Sequence, residues 1–558
     1  MRLTIDGQPV EIREGENIYA AILKLGLEGE KLSMRPLAAQ IGGEVYSLRY
    51  TPHHEVSIKL LYYCEDAGRR VYEYTAQFVL LLAARRLFPG AKIKVCYALD
   101  AGIYITVDKT PALTHADVHA LEIECHRIAA LDLPLVRRRL DIKDAVEFFE
   151  NDGQIDKVRL LKWRKFSYFD VYTAEGYLDY FYGELAPSTG YVSAMKLKPL
   201  IGALVMLMPR ADAPDETATY HHKPKIAEVF RRSDRWNNLM HCDSVADLNE
   251  MVLGGSVREL VRINEALHER TYAQLADHIV SRRARAVMVA GPSSSGKTTS
   301  ANRLATQLRV LGKRPVMLSL DDYYLDREQI PLNEKGERDF EHIDTLDISR
   351  FNQDLEALLK GDEVEVPQFD FTVGARAPQC RLLKVSADEP LIVEGIHGLN
   401  ERMITSSIPR EAIYRVYVSA LTTLNLDDHN RIRTTDIRLL RRLVRDHQTR
   451  NTALATTLAM WPSVRRGEET WIFPYQEQSN FIFNTTLVYE LAVLKKYVYP
   501  LLLEVDRESP VYMQARSIIK FLNYVVDADI EADIPPTSIL REFIGGNTFY
   551  CDPNRGKK

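Results

Sequence analysis

Apolar and polar residues alternate at the start of the chain. Over residues 1–12 the alternation has a period of two on either side of an Asp-Gly pair, a pattern that predicts a β-hairpin. A helical spacing over 17–27 and strand-like runs over 39–48 and 56–61 follow it. We therefore expect a small unit of mixed strands and helix over residues 1–61.

Short apolar runs recur in the second half of the chain, at 286–290, 315–320 and 390–395. The first run is followed by apolar residues at helical spacing, and Gly312 closes that predicted helix. Buried strands that alternate with helices are typical of an α/β fold with a parallel sheet. In such a sheet the residues that follow each strand gather at one edge.

Two stretches of the chain have patterns that predict secondary structure but indicate no catalytic or binding residues. Residues 201–280 combine a strand-like run at 201–208 with helical spacing over 256–278, and we interpret them as a connecting strand and helical region. Residues 506–558 contain a predicted helix at 511–526 and too many apolar residues for a free linker. We expect this C-terminal helical tail to pack against the second half or against a neighbouring subunit.

Composition and charge narrow the class of protein. The chain has 558 residues, which predicts three or four domains, and its net charge of -5 offers no general attraction to nucleic acid or membrane. The six cysteines are scattered, the N-terminus is unlike a signal peptide, and no apolar run is long enough to span a bilayer. We expect a cytoplasmic protein with no membrane partner.

The stretch GPSSSGKTT matches the pattern of a P-loop that joins a strand to a helix. Its two glycines allow the backbone to curl so that successive N–H groups point at phosphate oxygens. Lys297 would reach the terminal phosphates and the Thr298 hydroxyl would ligate Mg²⁺. The predicted nucleotide-binding residues are Gly291, Ser293, Ser294, Ser295, Gly296, Lys297, Thr298 and Thr299. A loop without a ligand is the alternative, and the strand and helix on either side disfavour it.

Acidic residues follow the next two apolar runs. Asp321 and Asp322 come directly after the run at 315–320, and Glu394 ends the run at 390–395. One carboxylate at this sheet edge could accept a proton from an attacking hydroxyl and help to hold Mg²⁺. The Asp pair could equally cap the next helix, and the residues alone do not decide between the two.

Arginines occupy one face of a predicted helix near residue 440. Arg438, Arg441, Arg442 and Arg445 have the spacing i, i+3, i+4 and i+7. A solvated basic face is the usual explanation for such a pattern. Four arginines without alternating acids repel one another, however, and we favour a lid that neutralises charge on a transferring phosphoryl group.

Six segments together carry a family resemblance over residues 284–505. They are GPSSSGKTT, LDDYY, FEHIDTLD, PQFDF with Arg376, IVEGI and RRLVRD, and in this order they resemble uridine-cytidine kinases of the phosphoribulokinase and uridine kinase group. The resemblance implies ATP and Mg²⁺ as cofactors and a nucleoside as the small-molecule substrate. It implies transfer of the γ-phosphoryl group to the nucleoside 5'-hydroxyl.

The same resemblance implies a role for individual residues. Asp321 would take the proton from the ribose 5'-hydroxyl, and Lys297, Arg442 and Arg445 would complete the catalytic set. Mg²⁺ would lie among Thr298, Asp321 and Glu394, while Arg450 would join the lid arginines on the nucleotide phosphates. The substrate-binding residues would be Tyr324, Glu341, Phe369, Phe371 and Arg376.

Three positions depart from the family pattern on the acceptor side. Glu341 stands where the family usually has Asp, Phe369 replaces a Tyr, and Gly374 replaces the His that reads the pyrimidine edge. A site that hydrogen-bonds its substrate discriminates through those groups, so the base preference is open. A sugar phosphate or another small alcohol is the alternative acceptor.

The front of the chain resembles threonyl-tRNA synthetases. Residues 1–61 are similar to their TGS domain, a small β-grasp fold, and about 60–200 are similar to their second additional domain, which carries the editing site. The synthetases have an H-x-x-x-H pair and a later Cys-x-x-x-His there, but this chain has Tyr74, Phe78, Phe181 and Leu185. Such side chains neither ligate a metal nor shuttle a proton, so we expect a scaffold that has lost this chemistry.

The expected architecture is a P-loop NTPase-type α/β kinase domain with a parallel sheet, preceded by a β-grasp domain and an α+β editing-like domain. The expected boundaries are 1–61, 62–200, 201–280, 281–505 and 506–558. The fusion of the two halves resembles a bacterial nucleoside kinase subgroup, and we expect a homo-oligomer. The remaining alternative is a non-enzymatic tRNA- or RNA-binding regulator, which the negative charge disfavours.

Overall fold

The computed structural model describes residues 1–330, 338–370, 373–404 and 408–549 of the chain. Its first elements are β1 (Arg2–Ile5), β2 (Gln8–Glu11), α1 (Ile18–Leu25), β3 (Ala38–Ile41), β4 (Glu44–Tyr46) and β5 (Ser57–Leu61). The predicted hairpin is confirmed, and Ile5 lies opposite Gln8. Asp6 and Gly7 have φ angles of 46° and 82°, the left-handed backbone that an Asp-Gly turn supplies. The five strands form one sheet in the order β2-β1-β5-β3-β4.

A second group of elements surrounds a long, mostly buried helix. The group contains α2 (Asp66–Leu87), β6 (Lys92–Leu99), β7 (Gly102–Asp108), α3 (His115–Ala130), β8 (Val136–Asp141), α4 (Ile142–Asn151), α5 (Ile155–Leu161), β9 (Tyr168–Ala174), β10 (Tyr177–Asp179), β11 (Lys196–Leu200), β12 (Ala203–Leu207), β13 (Pro209–Arg210) and β14 (Ala213–Thr217). One sheet has the order β11-β12-β7-β6 and another has the order β10-β9-β8. Strand β12, which the sequence analysis assigns to the connecting region, therefore lies inside the sheet of this group.

Three helices lead from this group to the second half: α6 (Pro224–Leu239), α7 (Val245–Gly254) and α8 (Val257–Ser281). Apolar residues of α8, including Leu260, Val261 and Leu275, are buried, as their helical spacing predicts. The Tyr272 hydroxyl donates to Ser300 Oγ at 2.9 Å. Helix α8 is thus a packed element of the second half.

The second half is built on a parallel sheet. Its elements are β15 (Ala286–Ala290), α9 (Lys297–Val310), β16 (Val316–Ser319), α10 (Ile348–Lys360), β17 (Glu363–Val366), β18 (Phe369–Asp370), β19 (Ala375–Arg376), β20 (Arg381–Lys384), β21 (Leu391–Glu394), β22 (Ile413–Ser419), α11 (Thr434–Arg450), α12 (Leu454–Trp471), β23 (Phe481–Asn484) and α13 (Glu490–Leu503). The strands run parallel in the order β16-β21-β15-β22-β23, which confirms the predicted parallel sheet. All five residues of the central strand β15 are buried, because both faces of the sheet are covered.

The last described elements are α14 (Tyr512–Leu522) and α15 (Arg541–Ile544). Leu540 and Phe543 are fully buried in the core that also contains β15, so the tail packs onto its own chain. Helix α14 also contacts β4 of the first sheet. In the described part of the chain, no helix combines the length and the apolar character that crossing a bilayer requires.

Candidate functional site

The P-loop leaves β15 in a turn that admits few alternatives to glycine. A Cβ atom on Gly291 would lie 1.9 Å from the carbonyl oxygen of Val418. Gly296 has a φ of 85°, in the left-handed region that favours glycine. The two glycines let the loop turn tightly and present backbone N–H groups at the start of α9.

Lys297 is the first residue of α9 and lies inside the loop. Its Nζ donates to the carbonyl oxygen of Pro292 at 3.1 Å. Burial lowers the pKa of its amine, although the carboxylates of Glu394 and Asp321 act in the opposite direction. The sheet edge thus brings a half-buried cation and two carboxylates together.

Glu394 ends β21 beside the Thr298 hydroxyl, as the strand order requires. Thr298 Oγ1 donates to Glu394 Oε2 at 3.4 Å and Ser319 Oγ donates to Glu394 Oε1 at 3.0 Å. Burial, aided by the charge of Asp321, raises the pKa of Glu394 to about 7. Carboxylate and hydroxyl oxygens are the donors that Mg²⁺ prefers, so the set formed by Thr298, Asp321 and Glu394 fits this ion.

The two aspartates after β16 face different surroundings. Burial raises the pKa of Asp321, and the charges of Lys297, Arg450 and Arg445 oppose this rise. Burial also raises the pKa of Asp322, and here the charge of Arg381 opposes the rise. The cap of the following turn is Ser319, whose side chain accepts from the Asp321 N–H at 3.3 Å. The Asp321 side chain is therefore not needed as the cap of that turn.

Two of the four arginines on α11 are already neutralised. Arg438 pairs with Glu468, with NH2 and Oε2 2.7 Å apart, and Arg441 pairs with Glu490, with Nε and Oε2 2.6 Å apart. The four arginines have no alternating acids along their own helix, and the sequence did not indicate these two distant partners. The acids lie on α12 and α13, too far along the sequence for helical spacing to reveal them.

These two arginines also touch the P-loop backbone. Arg438 NH1 donates to the carbonyl oxygen of Ser293 at 3.1 Å, and Arg441 NH1 donates to that of Ser294 at 3.4 Å. Thr485 Oγ1 donates to the carbonyl oxygen of Ser295 at 2.7 Å. Helix α11 and the end of β23 therefore hold the outer side of the loop in place.

The remaining lid arginines gather around one acid that sequence reasoning missed. Asp446 lies within 3.3 Å of Arg442, 2.8 Å of Arg445 and 3.6 Å of Arg450. Arg442 NH1 also donates to Ser293 Oγ at 3.0 Å. With one carboxylate for three guanidinium groups, this corner carries an excess of positive charge beside the P-loop.

The residues that are predicted to bind the acceptor form a second group, which we call the acceptor wall of the site. Glu341 lies against Gly467 of α12, where a Cβ atom would be 2.3 Å from Glu341 Cβ. Burial raises the pKa of Glu341 to about 7, and the charge of Arg442 opposes this rise. The rings of Tyr324 and Phe369 are 5.7 Å apart. Phe371 lies outside the described residues.

Arg376 is fixed in this wall by an ion pair and two backbone contacts. Its NH2 group lies 2.9 Å from Asp347 Oδ2, and its Nε donates to the carbonyl oxygen of Tyr324 at 3.3 Å. Its backbone N–H donates to Asp326 Oδ1 at 2.8 Å. Arg376 therefore supports the loop that carries Tyr324.

Gly374 makes room for another arginine. A Cβ atom there would lie 2.2 Å from Nε of Arg327, and the Arg327 N–H donates to the Gly374 carbonyl oxygen at 3.0 Å. A side chain at position 374 would displace this guanidinium group. The position where the resemblance implies a His thus lies beside a guanidinium group.

The C-terminal tail supplies a further residue that no sequence pattern indicated. Glu542 Oε2 accepts from Thr299 Oγ1 at 2.6 Å and from the Thr299 N–H at 3.3 Å. Thr299 belongs to the predicted nucleotide-binding set. An acid about 240 residues away along the chain thus contacts the P-loop helix, which no motif spacing could indicate.

Four positions in the front half, where the synthetase resemblance implies His or Cys, lie close together in the structure. The rings of Tyr74 and Phe78 lie 5.7 Å and 6.4 Å from that of Phe181, and Leu185 is fully buried in the same core. Among the described residues, no group of three or more His, Cys, Asp or Glu side chains could hold a metal ion. The positions form a packed apolar cluster.

One family model matches most of the second half of the chain. Residues 286–491 match the family model described as Phosphoribulokinase / Uridine kinase family. This range contains β15, the P-loop, all three predicted Mg²⁺ ligands and the whole of α11. The match covers the described site apart from the C-terminal tail.

The N-terminal part of the chain is similar to a different group of proteins. It is 31% identical over 199 residues to threonine-tRNA ligase from Symbiobacterium thermophilum, which covers 36% of this chain and 30% of that protein. It is 31% identical over 195 residues to the Carboxydothermus hydrogenoformans ligase, covering 35% and 31%. The chain thus spans about a third of the length of the curated relatives it matches.

Two solved structures are similar to part of the chain. A possible uridine kinase from Bacillus stearothermophilus has 16% identity and a TM-score of 0.27, covering 38% of this chain and 98% of that chain. A D-glycerate 3-kinase from Cryptococcus neoformans has 16% identity and a TM-score of 0.23, covering 45% and 87%. Scores this low carry no argument about the fold or the activity of this chain.

Proposed function

Since residues 286–491 form a P-loop kinase domain of the phosphoribulokinase and uridine kinase family, we propose that the chain transfers the γ-phosphoryl group of ATP to the 5'-hydroxyl of a nucleoside. One observation carries this proposal. Lys297, Thr298, Asp321 and Glu394 converge where three parallel strands end, and the charges of Arg445 and Arg450 from α11 act on the same point. This is the arrangement that phosphoryl transfer to an alcohol requires.

In this mechanism Asp321 acts on the acceptor. Its carboxylate accepts the proton of the attacking hydroxyl, whose oxygen forms a bond to the γ-phosphorus as the bond to the β,γ-bridging oxygen breaks. ADP and the phosphorylated alcohol are the products. The nearby cations Lys297, Arg445 and Arg450 oppose the rise in the pKa of Asp321 that its burial causes.

The other residues act on the donor. The P-loop N–H groups and Lys297 hold the phosphates, and Arg442 and Arg445 neutralise charge on the phosphoryl group as it moves. Mg²⁺ held by Thr298, Asp321 and Glu394 would neutralise the β- and γ-phosphate oxygens. Closure of the arginines over the site would exclude water and so limit wasteful hydrolysis of ATP.

A second candidate acceptor is a small alcohol that carries its own anionic group, such as a sugar phosphate. The specific observation in its favour is the Arg327 guanidinium at Gly374, close to the wall that contains Phe369 and Arg376. A guanidinium group binds a phosphate or carboxylate better than it reads a pyrimidine edge. The ring pair of Tyr324 and Phe369 favours a nucleoside instead.

One assay tests the proposal and separates the two acceptors. ADP formation is measured with MgATP and a panel of nucleosides, sugar phosphates and unphosphorylated sugars, using Asp321→Asn as the matched control. Turnover with nucleosides alone supports a nucleoside as the acceptor. Turnover only with acceptors that carry their own anionic group supports a sugar phosphate or a similar alcohol. Absence of acceptor-dependent ADP formation across the panel contradicts both. Tight, salt-sensitive tRNA binding without any turnover would favour an RNA-binding regulator.

A further inference from the structure

Side chains from the C-terminal tail contact Thr299, the residue that follows the P-loop motif. Thr299 lies within the first turn of α9 and is fully buried. Its hydroxyl donates to Glu542 Oε2 at 2.6 Å, its N–H donates to the same oxygen at 3.3 Å, and Asn547 Nδ2 donates to the hydroxyl oxygen at 3.1 Å. Because Asn547 donates to this oxygen, the single hydroxyl proton of Thr299 is left for Glu542.

This position is one where an anion is expected. The first N–H groups of a helix have no partner within the helix, and their partial positive charge attracts negative groups. In a P-loop these groups cradle the nucleotide phosphates. Glu542 therefore uses the donors of Thr299 that a phosphate oxygen would need.

The charge of Glu542 also reaches the catalytic groups. Burial is the largest influence on Lys297 and Glu394, and it lowers the pKa of the first and raises that of the second. The Glu542 carboxylate raises the pKa of both. A triphosphate that entered beside it would meet a third carboxylate in addition to Glu394 and Asp321, and like charges at short range repel strongly where water is excluded.

Buried side chains of the tail pack against the P-loop and α11 and hold the tail in this position. Ser538, Ile539 and Phe543 are fully buried. Ile539 lies so close to Gly296 that a Cβ atom on the glycine would be 2.7 Å from its Cγ2, and the Arg441 guanidinium lies 5.1 Å from the Phe543 ring centre. The contact of Glu542 with Thr299 is thus part of a packed segment that touches the P-loop at Gly296 and the first turn of α9.

The same tail is tied to the front of the chain. Helix α14 begins at Tyr512, whose Cδ1 would be 2.8 Å from a Cβ atom on Gly43. Arg70 NH1 of α2 donates to Ser517 Oγ at 3.3 Å. A physical connection therefore runs from the synthetase-like front through α14 to Glu542.

We propose that residues 538–547 are an intramolecular gate of the nucleotide site, in which Glu542 occupies an anion position of the P-loop and must leave it before a nucleotide binds. This gate rests on the proposed function, since it assumes that the P-loop binds nucleotide phosphates. It keeps the P-loop closed to nucleotide while Glu542 is bound. Movement of α14 against the front of the chain would change how firmly Glu542 is held.

The test measures binding, so it does not depend on finding the acceptor. The dissociation constants of ADP and of inorganic tripolyphosphate are measured by titration calorimetry on the full chain and on Glu542→Gln and Glu542→Ala. The matched control is Glu504→Gln, an exposed carboxylate at the end of α13. Thermal unfolding of each variant shows that it is folded.

Loss of the Glu542 charge should tighten both ligands by about tenfold or more, which is the scale of one charge-assisted hydrogen bond. The Glu504→Gln control should bind as the unmodified chain does. Unchanged or weaker binding by both Glu542 variants, with normal binding by the unmodified chain, overturns the gate alone. If neither ligand binds to any of the proteins, the nucleotide site itself is wrong, and the gate is overturned with it.

Discussion

Arg441 and Glu490 form a fully buried ion pair directly behind the P-loop. Nε and Oε2 are 2.6 Å apart, and NH2 and Oε1 are 3.0 Å apart. NH2 of the same guanidinium donates to the carbonyl oxygen of Thr485 at 2.8 Å. A bidentate pair with its remaining donors satisfied can be held in the interior, and here it fixes α11 to α13 behind the site.

The first prediction concerns this pair. Glu490→Gln should lower the free energy of unfolding by about 3 kcal/mol, because it leaves the Arg441 charge buried without its partner. The measurement is denaturant unfolding followed by circular dichroism. Asp529→Asn is the control, since it removes one partner of the exposed pair with Lys496 and should change the free energy of unfolding much less. Equal losses in the two variants would contradict the structural role of the buried pair.

The second prediction concerns the proposed base. Asp321→Asn should reduce kcat by about 100-fold to 10,000-fold, because the amide cannot accept the acceptor proton, while ATP affinity stays within a few-fold. Steady-state ADP formation and ATP titration give the two quantities. Asp322→Asn is the matched control, because its charge faces Arg381 rather than Lys297. Turnover close to normal in Asp321→Asn would overturn the assignment of the base.

The third prediction concerns the lid. Arg445→Ala should lower kcat by about 100-fold and change acceptor binding much less, because the guanidinium acts on charge that develops during transfer. The comparison of kcat with the acceptor KM makes the distinction. Arg466→Ala removes an exposed arginine of α12 and should leave both constants unchanged. A rise in acceptor KM with normal kcat would show that Arg445 binds substrate and is not part of the lid.

The fourth prediction concerns pH and the contact between the two halves. His429 Nδ1 lies 2.7 Å from Asp179 Oδ2 and Lys157 Nζ lies 3.1 Å from Asp427 Oδ1, and all but the half-buried His429 are buried. Burial lowers the pKa of His429, but the Asp179 carboxylate outweighs it and the net pKa is raised. A raised histidine pKa stabilises the fold below the unfolded value near 6.5 and loses this effect as pH rises through the folded value.

Stability should therefore fall as pH is raised from 6 to about 9, and it should fall less in His429→Gln. The measurement is the denaturant midpoint of both proteins at each pH. At low pH the effect of Asp179 on stability has the opposite sign. Neighbouring cations hold the pKa of Asp179 below the usual range in spite of its burial, so its ionised form stabilises the fold. Protonation of Asp179 should destabilise the fold as pH falls below about 4. A pH response that is identical in the two proteins would exclude His429 as its source.

Local sequence patterns already determined much of this protein. The Asp-Gly hairpin, the buried strand β15 and the helix after the P-loop follow from spacing over a few residues, because turn conformation and amphipathic period are local properties. The order of GPSSSGKTT, LDDYY and IVEGI was enough to predict that a lysine and two carboxylates meet at one sheet edge, since parallel strands place their ends together. These predictions needed no knowledge of distant contacts.

Only the tertiary structure determined which arginines near the P-loop are paired with acids from other helices. Arg438 and Arg441 share a helical face with Arg442 and Arg445, but distant acids on α12 and α13 neutralise the first two. Glu542 likewise reaches Thr299 only because the tail folds back onto the P-loop. Such pairings follow from the packing of elements far apart in sequence, and neither periodicity nor motif spacing contains that information.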